Sequence, residues 1–138
     1  MKKILLFGLL IAVVGIGIGY MIYNKPHKNM ASAKADYTLD AKVLVAEFSS
    51  DEAAANEKYL GKIITVTGSV AEVTTDDNGN PSVMLDTGDP MAAVKCNLDF
   101  ASKPKRTEFQ TGETVTLKGD CSGFIELTGV ILDRCVEQ

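Results

Sequence analysis

Residues 59–73 read YLGKIITVTGSVAEV, and this stretch decides the fold because it alternates like a β-strand yet breaks at a glycine. Apolar residues occupy every second position as far as Val66, which is the period of a half-buried strand. Beyond Gly68 the alternation slips by one, so that Ala71 and Val73 carry the apolar positions. A slip beside a glycine indicates a bulge or sharp bend. We therefore predict a long strand that bends at Gly68, where a side chain would obstruct the corner.

Four further strand patterns follow, and a polar, proline-containing connector over residues 99–112 separates the third predicted strand from the fourth. In the fourth, Leu117 and Cys121 are predicted to face inward and Lys118 to face solvent. The predicted strands cover residues 82–89, 91–98, 113–123 and 127–137. Five short strands with one longer connection predict a mainly β fold, a five-stranded OB-fold barrel over residues 62–138. In that fold the first strand bends midway to serve both halves of the barrel, which accounts for Gly68.

Residues 37–61 are predicted to be a helical segment that precedes the barrel. Thr38 can cap its start, Ser49 and Glu52 have the spacing of a capping box, and Gly61 can end it. The pattern fits two short helices or one bent helix. A shared face is expected to pack on the barrel: Leu44, Phe48, Ala55 and Tyr59.

The run Ile4–Tyr23 contains 20 uncharged residues, enough for a helix of about 30 Å that crosses a bilayer. A signal-peptide core is usually shorter, and the one small-x-small site, Ala31-Ser32-Ala33, lies far beyond the run. We therefore predict an uncleaved signal anchor over residues 1–23. Lys2 and Lys3 favour a cytoplasmic amino end, with the rest of the chain outside the cytoplasm.

Residues 24–36 are polar, contain Pro26 and show no apolar period, so we predict an extended or mobile tether. The single histidine, His27, lies there without metal-ligating neighbours in sequence. A solvated residue is the simpler interpretation of it.

Charge argues against a nucleic-acid partner. Without Lys2 and Lys3, the chain has 12 basic and 18 acidic residues, a formal charge of −6. Affinity for phosphate backbones comes mainly from lysine and arginine. The one basic run, KPKR at residues 103–106, is interpreted as a solvated loop.

Several motifs resemble those of the bacterial tRNA anticodon-binding-like OB-fold family, whose members are exported or lipoprotein-like envelope proteins. They are residues 47–70, VKC at 94–96, TVTLKGDCSGF at 114–124 and VILDRC at 130–135. The resemblance covers residues 35–136 and implies the OB fold but no established activity. Many exported relatives carry a lipobox cysteine, whereas no cysteine precedes Cys96 here. The hydrophobic segment is therefore expected to provide the anchor.

OB folds that bind nucleic acid stack bases on exposed aromatic residues of their second and third strands. Here these strands offer Met84, Met91 and Lys95 as a possible ligand face and contain no aromatic residue. A second hypothesis, a nucleic-acid-binding barrel that faces the cytoplasm, remains as the alternative. Membrane orientation separates the two.

No catalytic residue, metal site or cofactor is predicted. The acidic residues are scattered through turns without a motif, and the glycines of GIGIG at residues 15–19 lie within the membrane run, where small residues permit helix packing. The chain is therefore predicted to be a non-catalytic, membrane-anchored binding module of the cell envelope. Its partner would be an envelope protein, a peptide or a glycan.

Three cysteines predict a disulfide bond with one thiol left over in an oxidising compartment. In an OB barrel the third and fifth strands are parallel neighbours, so Cys96 and Cys135 could meet. Alternation along the fifth strand would turn Cys135 outward unless that strand bulges near its end. Cys121, placed toward the opposite rim, remains the alternative partner.

Overall fold

The structure, a computed structural model, describes residues 1–23, 29–75, 77, 79–99, 106 and 108–138. Within these described ranges, three helices and six strands follow one another in chain order. They are α1 (Lys2–Tyr23), β1 (Tyr37–Asp40), α2 (Ala41–Ser50), α3 (Glu52–Tyr59), β2 (Ile63–Thr75), β3 (Pro81–Leu85), β4 (Ala93–Leu98), β5 (Thr114–Ile125) and β6 (Gly129–Glu137).

The five strands β2 to β6 close into a barrel because β2 belongs to both of its halves. Residues Ile63–Ser69 pair antiparallel with β5, and the remainder, from Val70, pairs antiparallel with β3. The pairing then runs from β3 to β4, from β4 to β6 in parallel, and from β6 back to β5. The predicted mainly β, five-stranded barrel with short helices and an apolar amino-terminal helix is confirmed.

Gly68 lies two residues before β2 changes partners, and the register of β2 against β3 shifts between Val70 and Glu72. Ala71, at this irregularity, is exposed. A Cβ atom on Gly68 would lie 3.1 Å from the Cβ of Ala41 in α2 and 3.3 Å from the Cβ of Leu85. The glycine thus lets β2 approach both the start of α2 and the end of β3.

The helical segment differs from its prediction at both caps. Thr38 does not begin a helix, because Tyr37–Asp40 form an edge strand parallel to the start of β2. The side chain of Asp40 caps α2 by accepting a 2.9 Å hydrogen bond from the Lys42 backbone N–H. Asp51, rather than Ser49, caps α3, with a 3.0 Å bond from the Ala54 N–H. The carboxylates take the caps because each directly precedes the helix it serves.

The predicted packing face of the helices is confirmed, since Leu44, Phe48, Ala55 and Tyr59 are all buried. Phe48 stacks on Phe124 of β5 with ring centroids 5.6 Å apart. It also contacts Tyr59, which meets Tyr37 edge-to-face at 5.0 Å. This row of rings joins α2 and α3 to β1 and to the barrel.

The tether prediction is wrong for residues 29–36, which pack on the outside of the barrel. Met30 is fully buried against Ile63 and Val136. Lys118, predicted to face solvent, is only 5% exposed because this segment covers it. Its ammonium group donates hydrogen bonds to the carbonyl oxygens of Ala31 (3.3 Å) and Ala33 (2.7 Å). His27 lies outside the described residues.

Strand β6 bulges near its end. Arg134 has a φ of +54°, and the register against β5 passes from Asp120–Asp133 to Lys118–Val136, so two residues oppose Gly119 alone. The extra residue reverses the alternation, and Cys135 points into the core with no exposed surface. A Cβ atom on Gly119 would lie 2.5 Å from the Cys135 Sγ, so glycine leaves the space that the thiol fills.

Helix α1 is 22 residues long with a hydropathy of 2.5, and none of its residues is buried within the described structure. By length and composition it can cross a membrane. A signal sequence near the amino terminus has the same properties.

Candidate binding face

The outward side chains of β3 and β4 form the surface on which OB folds commonly bind their ligands. Met84 and Lys95 are directly opposite each other across the two strands, and Ile131 of β6 follows next in the same row. The two strands therefore bring Met84 and Lys95, two of the three residues of the possible ligand face, next to each other. Met91 does not join them, because β3 ends at Leu85 and Met91 lies in the connection to β4.

A hydrogen-bonded row of polar side chains lies beside this pair. The Ser82 hydroxyl donates to the Asn97 Oδ1 at 2.7 Å, and the Asn97 Nδ2 donates to the Asp133 Oδ1 at 2.6 Å. The Ser122 hydroxyl donates to the other oxygen of Asp133. We call six residues on this side of β3, β4, β5 and β6 the polar face, of which Ser82 is covered and only 3% exposed. They are Ser82, Met84, Lys95, Asn97, Ser122 and Asp133.

The hydrogen bonds fix the orientation of the polar face and leave part of its bonding capacity unused. Asn97 both accepts and donates within the row, so its amide cannot rotate without breaking one bond. It keeps a second N–H, and the carboxylate of Asp133 keeps further lone pairs. An open depression of about 440 Å³ lies over this row and is also lined by Asn80, Leu98, Asp99 and Arg134.

The charges on and beside the polar face give no excess of positive charge, since Asp99 also lines the depression. Lys95 and Asp133 carry opposite charges within it, and at its border Arg134 forms an ion pair with Asp120. A phosphate backbone would meet at least as much negative as positive charge there. The surface suits a ligand that is recognised by hydrogen bonds more than one that is attracted by charge.

The family model described as tRNA_anti-like matches residues 1–136, nearly the whole chain. The chain belongs to the tRNA_anti-like family. Members of the family are OB-fold binding domains, and the resemblance noted in the sequence is confirmed.

The fold of this tRNA_anti-like chain is shared with a solved lipoprotein from Klebsiella pneumoniae subsp. pneumoniae MGH 78578 whose name attributes nucleic-acid binding to it. The two superpose with a TM-score of 0.57 at 17% identity, over 83% of this chain and 99% of the other. At that identity the likeness shows the fold alone. No curated protein matches the chain.

Met91, half exposed, borders a second depression of this tRNA_anti-like chain, of about 400 Å³, between α2 and the β5–β6 turn. Phe48 and Phe124 line its floor, and three exposed carboxylates surround it: Glu52, Asp89 and Glu126. The predicted strand 91–98 starts two residues before β4 does, so Met91 lies in the connection before that strand.

Arg106, the last residue of the predicted basic run, makes structural contacts. It pairs with both carboxylate oxygens of Glu137 at 3.0–3.2 Å, pairs with Glu113 at 3.0 Å, and stacks on Phe109. The bonds to Glu137 and Glu113 raise the pKa of Arg106, while a bond from the Gln110 N–H lowers the pKa of Glu113. Arg106 therefore ties the carboxyl end of β6 to the start of β5. Residues 103–105 lie outside the described residues.

The three cysteines of the tRNA_anti-like chain are free, buried thiols. Burial raises the pKa of Cys121 and of Cys135, and the neighbouring Cys96 thiol raises that of Cys135 further. Cys96 and Cys121 stand on opposite sides of Leu132 in one cross-strand row, so two strand spacings, about 9–10 Å, separate their Cα atoms. The placement of Cys121 toward the opposite rim is therefore wrong, whereas the predicted Cys96–Cys135 bond stays a prediction.

Within the ranges that the structure describes, no group of three or more histidine, cysteine or acidic side chains is arranged to hold a metal ion.

Proposed function

We propose that this chain is a non-catalytic binding module of the bacterial cell envelope, held at the membrane by α1, and that its polar face binds an uncharged ligand rich in hydroxyl and amide groups. A peptide, a glycan or a partner protein that presents such groups fits this description. The single observation that carries the proposal is the hydrogen-bonded row Ser82–Asn97–Asp133–Ser122 on the customary ligand surface of an OB fold.

A pre-oriented row of this kind favours binding over a purely structural role. Each side chain of the row is already held by a hydrogen bond, so binding a ligand costs the protein little further side-chain entropy. The amide of Asn97, the ammonium of Lys95 and the carboxylate of Asp133 supply donors and acceptors together. Hydroxyl and amide groups, which both donate and accept, match that mixture.

Nucleic-acid binding is the second candidate, and the name of the Klebsiella lipoprotein is what favours it. Two features of the polar face weigh against it. It carries no excess of positive charge, and the row Met84–Lys95–Ile131 contains no aromatic ring on which a base could stack.

The envelope location is supported by the length and apolar character of α1. The family resemblance to exported proteins favours the same location. An anchored module needs no lipobox cysteine, and none precedes Cys96.

The test compares matched lysine variants of the full-length protein in detergent micelles. Lys95→Ala changes the polar face, and Lys42→Ala removes an exposed lysine from α2. We expect the wild type and Lys42→Ala to retain the same amount of an envelope component. We expect Lys95→Ala to retain at least about tenfold less of it. Equal retention by both variants contradicts the assignment of the face.

A labelled single-stranded oligonucleotide serves as the second probe in the same experiment. At about 0.15 M salt we expect no change in its fluorescence anisotropy. Saturable binding that Lys95→Ala weakens would favour the nucleic-acid candidate.

A further inference from the structure

The segment between the membrane helix and β1 is bound to the barrel over residues 29–36, which we call the strap. Its first turn is closed by hydrogen bonds from the backbone N–H groups of Ser32 and Ala33 to the Asn29 carbonyl at 3.2 and 3.0 Å. The Asn29 side chain also accepts from the Ala31 N–H at 3.1 Å. The strap is therefore locally ordered before its contacts with the barrel are counted.

Three contacts join the strap to the barrel. Met30 is completely buried against Ile63 and Val136. The Lys118 ammonium bonds the carbonyl groups on both sides of Ser32. At its far end the Asp36 N–H donates to the Ile63 carbonyl at 2.7 Å, and the Ile63 N–H donates to the Asp36 carboxylate at 2.9 Å.

The position of Lys118 makes these contacts specific. A buried ammonium group is costly unless hydrogen bonds replace its water shell. Here two backbone carbonyls of the strap supply them, so β5 carries a lysine that suits the strap and no other described segment. A freely moving tether would leave that lysine in water.

We propose that the strap is part of the folded domain, so that the docked chain protects the peptide bond after Ala33 and keeps the barrel beside the membrane helix. The bond lies within the docked backbone, and a protease needs an extended, accessible segment to cut there. Tyr23 and Asn29 are six residues apart, so at full extension the strap begins within about 22 Å of the end of α1.

The short connection also limits where the polar face can reach. Val136, which holds Met30, is three residues from Asp133 along β6, a distance of about 10 Å. The face therefore works close to the bilayer surface, and ligands in the layer next to the membrane are within its range. This last step rests on the proposed function, whereas docking of the strap does not.

Limited proteolysis with trypsin tests docking on the full-length protein in micelles. Lys34 lies in the strap, and Lys42 lies in α2, so cleavage after Lys42 reports unfolding of the domain. We expect slow cleavage after Lys34 in the wild type and at least about tenfold faster cleavage there in Met30→Ala, with cleavage after Lys42 unchanged, because cleavage follows the population of the open form.

Met30→Leu, which keeps the apolar volume, should retain wild-type protection and is the matched control. If Met30→Ala also accelerates cleavage after Lys42, that variant has unfolded the domain. The rates of cleavage after Lys34 in Met30→Leu, in wild type and in the urea-unfolded chain then show whether the strap is docked. Wild-type cleavage after Lys34 as fast as in the unfolded chain overturns the proposal. The ligand-binding test uses a different face, so either proposal can fail alone.

Discussion

A valine in place of Gly68 tests whether the close approach of β2 to α2 is required. The first added carbon would meet the Ala41 Cβ at 3.1 Å and the Leu85 Cβ at 3.3 Å, and valine adds two methyl groups beyond it. Overpacking of this kind typically costs about 1–3 kcal/mol, against which the β-propensity of valine returns less than about 1 kcal/mol. Because two extra methyl groups are added to contacts that are already tight, the upper half of that range applies, about 2–3 kcal/mol. We therefore expect a net loss above about 1 kcal/mol, and a fall in melting temperature of roughly 4–12 °C.

The assay is thermal and urea unfolding of the full-length protein in micelles, followed by circular dichroism. Ala71→Val is the matched control, since Ala71 lies on the same strand and is exposed. It should change the free energy of unfolding by less than about 0.5 kcal/mol. Gly68→Ala should fall between the two, because a single carbon needs the neighbours to give by only a few tenths of an ångström. A melting temperature of Gly68→Val equal to that of wild type would refute the barrel-corner interpretation.

Four further predictions concern other sites. Lys118→Met should cost about 1–3 kcal/mol in urea unfolding because two strap carbonyls lose their donor, whereas Lys62→Met, at an exposed lysine, should be neutral. Hydrogen bonds from Lys58 and Tyr59 lower the pKa of Glu47 below 4.5. Wild type should therefore be more stable than Glu47→Gln by a constant amount above that pH, and the difference should disappear as the pH falls through the lowered pKa of Glu47. A difference in stability that grows in acid would contradict this. Non-reducing peptide mapping of the exported protein should find a Cys96–Cys135 disulfide bond rather than a bond to Cys121. Three free thiols would reject both the disulfide bond and the location of the barrel outside the cytoplasm. After carbonate extraction the protein should remain in the membrane fraction, and its mass should correspond to a chain that begins at Met1 or Lys2. A soluble species that begins at Lys34 would instead show cleavage after Ala33.

The barrel could be predicted because its evidence is local in sequence. The slip at Gly68, the turn residues and the number of strands are all visible within short windows. The helix face with Leu44 and Phe48 was visible for the same reason.

The strap and β1 could not be predicted because their partners are distant in sequence. Asp36 pairs with Ile63, and Lys118 bonds a carbonyl 85 positions away, so no short window contains both members of either contact. The polar residues of the strap read as a linker, and Lys118 read as a solvent-facing residue between two inward positions. Only the folded barrel reveals that the two cover each other.

The bulge in β6 shows how one residue changes a prediction of orientation. Regular alternation from Leu132 turns Cys135 outward, whereas the left-handed Arg134 turns it into the core. The sequence contains a clue in Gly119, whose missing side chain leaves room for the thiol. That clue has meaning only once the register between β5 and β6 is known.

The most direct test of the binding proposal is photo-crosslinking in living cells from a benzoylphenylalanine placed at position 84 of the full-length protein, beside Lys95 on the polar face. The same group at position 42, on the exposed side of α2, is the control. We predict a discrete adduct in the membrane fraction from position 84 and none from position 42. Equal adducts from both positions, or an adduct at position 84 that nuclease digestion removes, would contradict the account.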